Sequence, residues 1–447
     1  MKRVKQAGWA VSLGLLAACS TPEYILPGDR EDLRSPNPET LGAEAAAELA
    51  QTQATPEDEA RPISLPRSVN HASWTHLGGS LTHQVQHPAL SSRPQLRWVA
   101  DIGSGNDRKH RITAEPVAAN GRIFTLDSRA QVVATSTSGA TLWARDLTPP
   151  TDRSDDASGG GLALGGDTLY VSSGFGIVSA LDAASGKVKW QQKMDASGSG
   201  APAVSNGIVY VVSRDNTAWA LDAANGKVKW RLSGTPSQEG VVGVSSPAVT
   251  GRVALLPFAS GEVVAALKKT GTRSWSSLIS GERAGRAYAQ VTDITGEPVV
   301  KDGVIYMGNP AGRTVAMNLS GDRLWTAKEG ATSPVWATGG SVFLVSDENE
   351  LVRLDAKTGE RIWGTRLPYF KDNRARKLKS IYANLGPVLA GGKLWVASSD
   401  GVMRGFNPVD GTLIGQAALP GGAATRPIVV SGTAYVVSRD GKLLALR

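Results

Sequence analysis

Short apolar runs alternate with polar turns from about residue 116 onward, and the alternation has a period of two, as at Ile208, Tyr210 and Val212. That period belongs to β-strands packed on one face, and no stretch of this region keeps the 3.6-residue rhythm of a helix. The pattern itself repeats. It is clearest between 202 and 230, where PAVSNG, IVYVVSRDN, TAWALDAANG and KVKW follow one another as four strands separated by turns rich in Gly, Asn and Asp. Related copies start at Pro116, Pro247, Pro298, Pro334, Pro387 and Pro427, and the copy LALGGDTLYVSSG has Leu162 in place of the proline.

Tryptophans mark the fourth strands at Trp98, Trp143, Trp190, Trp230, Trp275, Trp325 and Trp363, with intervals of 45, 47, 40, 45, 50 and 38 residues and an eighth slot at Gly415. A flat apolar ring with one donor suits the gap between two stacked sheets. The turn before it carries Asp182, Asp222, Asn318, Asp355, Asn407 or Ser136, with Lys268 as the exception, followed by a glycine. Proline in the first strand of each unit removes a ladder donor and predicts an edge strand, as on the channel of a propeller. The last unit, Pro427 to Arg447, has three strands, whereas Leu96 to Ile102 is a tryptophan-bearing strand with no three before it. Pairing it with Lys442 to Leu446 completes a ring. The expected fold is therefore all-β: an eight-bladed β-propeller of four-stranded antiparallel blades, closed by an N-terminal strand.

The residues ahead of the ring differ in character. Residues 1–18 carry Lys2, Arg3 and Lys5 before a twelve-residue apolar stretch, Ala7 to Ala18, which reads as an export signal too short to span a bilayer. The single cysteine ends it in Leu16-Ala17-Ala18-Cys19, which resembles the lipobox of bacterial lipoproteins; Cys19 is the expected acylation site, and Ser20 after it implies sorting to the outer membrane. Residues 19–62 are acidic and proline-rich and read as a flexible tether, residues 63–94 as an arm, and residues 95–447 as the propeller.

Hydrophobic residues make up 41% of the 447 and charged residues 20%, which excludes disorder and coiled coil. One cysteine excludes an intrachain disulfide and a cysteine-based zinc site. The chain carries +8; setting aside the six basic and ten acidic residues of 1–62 leaves +12 on residues 63–447. A basic body on an acidic tether, exported from the cytoplasm, points to anionic lipid or an acidic protein face rather than nucleic acid.

ALDAASGKVKW and ALDAANGKVKW resemble the tryptophan-docking repeat of the quinoprotein dehydrogenases and their non-catalytic relatives. Trp74 with Gly78 and Gly79, followed by Leu96 to Trp98, is similar to the opening segment of that superfamily. An eight-bladed lipoprotein of this length further resembles the BamB family of outer-membrane assembly factors. That resemblance implies a cofactor-free, non-catalytic scaffold on the periplasmic face of the outer membrane, monomeric within a hetero-complex and docked on the periplasmic domains of the barrel-inserting subunit. It places docking on loops of the middle blades, here Val241 and Val242 in EGVVGVSSP and Arg286 and Asp293 in RAGRAYAQVTDITGEP; a basic residue is more usual at Val242.

The alternative is a dehydrogenase using pyrroloquinoline quinone with calcium and an aspartate base. Against it, such enzymes carry an adjacent cysteine pair and often a haem domain, whereas Cys19 is alone. Two clusters stay outside the repeat. The run RLPYFKDNRARKLKS holds Arg374, Arg376 and Lys377, expected to meet an acidic partner or anionic lipid at the rim. His71, His76, His83 and His87 match no zinc spacing, and a surface arm crossing the propeller accounts for them without a metal. Capture of unfolded clients on outer strand edges is a second mode, ranked lower because propeller edges are short.

Overall fold

A computed structural model describes residues 58–198, 200–237, 241, 243, 246–279, 281, 291–372, 374 and 380–447. The expected leader, most of the tether and the calls on Cys19, Val242, Arg286, Arg376 and Lys377 lie outside the described residues.

The strands form eight four-stranded antiparallel sheets, which we number as blades 1 to 8: residues 117–146, 160–193, 203–233, 248–278, 296–327, 336–366, 384–418, and 428–446 with Leu96–Asp101. In blades 1 to 7 the strands follow chain order from the axis outward. First strands of successive blades touch one another, and fourth strands are largely exposed, so the proline-bearing strand is the inner edge. Blade 8 closes the ring as expected. Its outermost strand is Leu96–Asp101, in register with Leu446 through Lys442, and Lys442 Nζ meets Asp101 Oδ2 at 2.5 Å.

Between blades lie apolar seams such as Tyr170, Val178 and Ala180 of blade 2 against Val209, Val211 and Trp219 of blade 3. The fourth-strand tryptophans tie each blade to the next. Trp190 packs on Tyr170 of its own blade with centroids 5.9 Å apart, donates from Nε1 to Ala223 O of blade 3 at 3.0 Å, and lies on the peptide of Gly226. A Cβ on Gly226 would fall 2.6 Å from that ring, so the glycine is required by packing as well as by its φ of 76°. Trp98, Trp143, Trp230, Trp275 and Trp325 make the corresponding bond to the following blade. Trp230 fixes one register. Its acceptor is Lys268 O, equivalent to Ala223, so Leu267 and not Lys268 stands where the other turns have Asp or Asn. Blade 7 has Gly415 in the slot, and there Trp395 of the second strand fills the space, closing over Gly405 and donating to Ala390 O.

The arm is not a surface strap. It circles the axis once and bonds every blade in order. His71 O accepts from Ser431 N of blade 8, and Trp74 exchanges two 2.7 Å bonds with Ala118 of blade 1. Thr75 O, His76 Nε2, Leu81 O, Thr82 O and the Gln84 side chain then take the N–H groups of Leu164, Val204, Val249, Val300 and Ala337 in blades 2 to 6. Pro88 O and His87 Nε2 finish on Gly391 and Gly392 of blade 7. In blades 1 to 6 the bonded residue holds the same register position on the inner strand. An inner edge strand leaves N–H groups unpaired, and the arm supplies their acceptors. This accounts for the histidines: His76, His83 and His87 are buried plug residues, and His83 Nε2 donates to Pro247 O at 3.1 Å.

Order begins ahead of residue 63. Asp58, Glu59 and Arg61 already bond Gly364, Ile362 and Val409 along the seam of blades 6 and 7.

Candidate docking face

With the arm on one face, the opposite face consists of the loops joining fourth strands to first strands and of the turns between second and third strands. The residues that precede the inner prolines bond one another on this side. Arg426, before Pro427, spans the axis: its Nε pairs with Glu115 Oε1 of the loop entering blade 1, and Nη1 donates to Pro334 O of blade 6 at 3.2 Å. Glu297, before Pro298, accepts from Ser246 N at 2.7 Å, and Ser246 Oγ in turn accepts from Ala201 N at 2.8 Å. Burial pushes the Glu297 carboxyl up to about 7 and pulls His83 down to about 3. Among the described residues no three His, Cys, Asp or Glu side chains converge to hold a metal.

Two loops named by the sequence meet here. Val241 donates its backbone N–H to Asp293 Oδ2 at 3.0 Å, joining the loop between blades 3 and 4 to the one between blades 4 and 5. Asp293 is 1% exposed, and Val241 is 37% exposed. The carboxylate therefore braces the loop, and the Val241 side chain reaches solvent. Gly243 closes this loop against Thr113 of the opposite loop, where a Cβ would fall 2.3 Å from the threonine Cβ.

The two ends of the basic run pair with each other. Phe370 bridges Ile381, Lys371 N donates to Ser380 O at 2.9 Å, and Tyr382 N donates to Tyr369 O at 2.7 Å. Arg374 sets its guanidinium on the Asp372 carboxylate at 2.7 Å, which holds that carboxyl below its ordinary range. Tyr369, Phe370 and Ile381 at its base are apolar and exposed. They flank the charges in RLPYFKDNRARKLKS. No helix among the described residues is long and apolar enough to cross a membrane.

A face of shaped loops on a closed wheel is suited to gripping another macromolecule. The family model described as outer membrane protein assembly factor BamB matches residues 128–365. The protein of that name from Salmonella typhimurium is 30% identical over 359 residues, 79% of this chain and 88% of the relative. The crystal structure of BamB from Moraxella catarrhalis superposes with a TM-score of 0.62 at 21% identity, over 78% of this chain and all of that one. The quinohemoprotein alcohol dehydrogenase of Comamonas testosteroni also gives 0.62, at 17% identity over 85% of this chain and 81% of the enzyme; both likenesses are of fold.

Proposed function

This chain belongs to the BamB family of outer membrane protein assembly factors, and from that premise we propose that it works as a non-catalytic scaffold of the outer-membrane barrel assembly machinery. Acylated Cys19 holds it on the periplasmic face of the outer membrane. The open face docks on the periplasmic domains of the barrel-inserting subunit, with the Val241–Val242 loop as the contact and Asp293 as its internal brace. Arg286 extends that contact, and Arg374, Arg376 and Lys377 steer an acidic partner toward the rim.

The observation that carries this reading is the family match across 128–365, which includes both loops joined by Asp293. The buried bond from Asp293 supports a loop held ready before the partner arrives, which lowers the ordering cost of association. A quinone-dependent dehydrogenase is the competing reading. The arm across one channel mouth and Arg426 across the axis speak for the scaffold.

Photo-crosslinking in intact cells from positions 241 and 242 tests the proposal. Capture of the barrel-inserting subunit from both is the expected result. Capture of neither it nor another assembly subunit, or dye reduction on adding quinone and calcium, would sink it.

A further inference from the structure

His110 stands apart from the histidines of the plug. It lies on the open face, in the loop 102–116 that enters blade 1, and is 5% exposed. Its Nδ1 is 2.8 Å from Asp107 Oδ2, and its Nε2 is 2.9 Å from the backbone oxygen of Asp155, in the loop joining blades 1 and 2. Both partners are acceptors only. A carbonyl has no proton to give, and the Asp107 carboxylate already accepts from the N–H groups of Lys109 and His110 and from Arg129 Nη2. A neutral imidazole carries one proton and satisfies one of the two, whereas the imidazolium donates to both.

The bond to Asp155 has no substitute. Among the described residues it is the one hydrogen bond that ties 148–157 to another part of the wheel; the rest are internal or reach back to Asp146. Pro149 and Pro150 bring no N–H to this loop, and the side chains of Asp152, Arg153, Asp155 and Asp156 are exposed. From Ser158 onward the two loops are joined independently of the histidine, because Arg111 N donates to Ser158 Oγ at 2.8 Å and Gly160 N to Thr113 Oγ1 at 3.2 Å.

Three elements meet the ring. Its own loop supplies Asp107, with Arg108, Lys109 and Arg111 exposed around it; the turn between the second and third strands of blade 1 supplies Arg129; the loop after blade 1 supplies the Asp155 carbonyl. The bond to Asp155 and the pair with Asp107 raise His110 above its ordinary 6.5, against the opposing pull of burial and of Arg129. His110 and the backbone N–H groups hold the Asp107 carboxyl well below its usual range, so Asp107 stays ionised and keeps the proton on Nδ1.

We propose that residues 148–157 form a pH-sensitive flap on the open face, latched by doubly protonated His110 and freed when Nε2 gives its proton to solvent. The bare lone pair of Nε2 then faces the Asp155 oxygen, and the loop loses its outer tie. The flap is closed below pH 6.5 and opens as pH rises through the folded value, which lies above 6.5. It uses none of the residues assigned to docking above, and it stands whether or not that assignment holds.

Quench-flow amide exchange on the whole protein, corrected for the intrinsic effect of pH, reads the flap through Asp152, Arg153 and Asp156, whose N–H groups bond inside the loop. Exchange in 151–157 should be about tenfold or more faster at about pH 8.5 than at about pH 5, while the first strand of blade 2 is unchanged. Asp107→Asn removes the charge that favours the imidazolium and should move the midpoint down by about 1 pH unit or more. His110→Ala should exchange fast at every pH. In the parent alone, ring-nitrogen NMR should place protons on both nitrogens of His110 at the lower pH and on Nδ1 only at the higher. Exchange in the parent that is flat across this range, a pH step that survives in folded His110→Ala, an unmoved midpoint in Asp107→Asn, or a His110 ring with one proton at both pH values would each overturn the proposal.

Discussion

Arg353 takes the carbonyl that Trp363 would otherwise use. In six seams the tryptophan Nε1 donates to the residue after the turn Asp, Asn or its equivalent, and in the seam of blades 6 and 7 that residue is Pro408. Here Arg353 Nη1 bonds Pro408 O and Val409 O at 3.1 Å and Arg61 O at 2.5 Å, while Trp363 Nε1 is buried without a partner. The other blades carry Ala134, Ala180, Ala220, Ala265, Ala316, Gly405 or Ala445 at this position. A buried guanidinium has replaced a methyl group in order to clamp the arm to the wheel.

Arg353→Ala should therefore free the segment ahead of the arm, residues 58–62, without dissolving the seam, because Trp363 regains Pro408 O. The expected stability loss is about 1–3 kcal/mol. Endoproteinase Glu-C should cut the Glu59–Ala60 bond much faster than in the parent, with the remaining propeller intact. Equal cutting rates would show that the clamp is ornamental.

Ring glycines differ in a way that separates backbone strain from packing. Gly207 and Gly226 have φ of 72° and 76°, but a Cβ on Gly207 meets nothing within 4 Å, whereas one on Gly226 meets Trp190 at 2.6 Å. Gly207→Ala should cost about 1 kcal/mol and Gly226→Ala roughly 1–3 kcal/mol more, read as the difference in urea midpoints at constant slope.

Glu297 supplies a pH signature. Its folded pKa of about 7 lies above the ordinary 4.5, so the native state holds this proton more tightly than the unfolded chain. The group's contribution is fully present below pH 4.5 and is lost as pH rises through 7. Glu297→Gln, which mimics the protonated form, should match the parent at pH 4.5 and exceed it at pH 8 by up to about 3 kcal/mol. His76 and His83 run the other way. Burial lowers them to about 4 and about 3 from 6.5, so their contribution is present above pH 6.5 and is lost as pH falls toward 4. Chemical unfolding at pH 4.5, 6 and 8 for parent and variant resolves the two slopes.

Asp293→Asn and Val241→Glu should part company. The first exchanges a charged brace for a neutral amide and should loosen the loop, giving faster amide exchange at Val241. The second leaves the brace bonded through the backbone N–H and places charge at the surface. Both should weaken co-purification with the barrel-inserting subunit about tenfold or more; only the first should alter exchange.

Ring closure was legible because it is a counting argument: Trp98 belongs to a fourth strand with no blade of its own, and Lys442–Leu446 lacks a fourth strand. The plug was not legible. Residues 71–88 carry no periodicity, since they bond through scattered carbonyls, two imidazoles and one amide to edges whose own sequences look like ordinary inner strands. Arg353 did have a signal, an arginine in a slot that is otherwise Ala or Gly, visible once the repeats are stacked. The latch on His110 had none, because Asp155 lies 45 positions away and offers only its backbone carbonyl. Asp293 is visible in the sequence as an acidic loop residue, but its burial under the neighbouring loop is not.

The pairing of Asp101 with Lys442 spans 341 positions, and it has a consequence for timing. During synthesis the segment that seals the wheel arrives first and has nothing to hold until seven sheets and three strands of the eighth have formed behind it. Assembly is thus gated by the latest-arriving stretch, and a chain stalled anywhere short of it stays an open arc with two sticky ends. Such an arc is an easy mark for proteases, so the architecture inspects its own completeness.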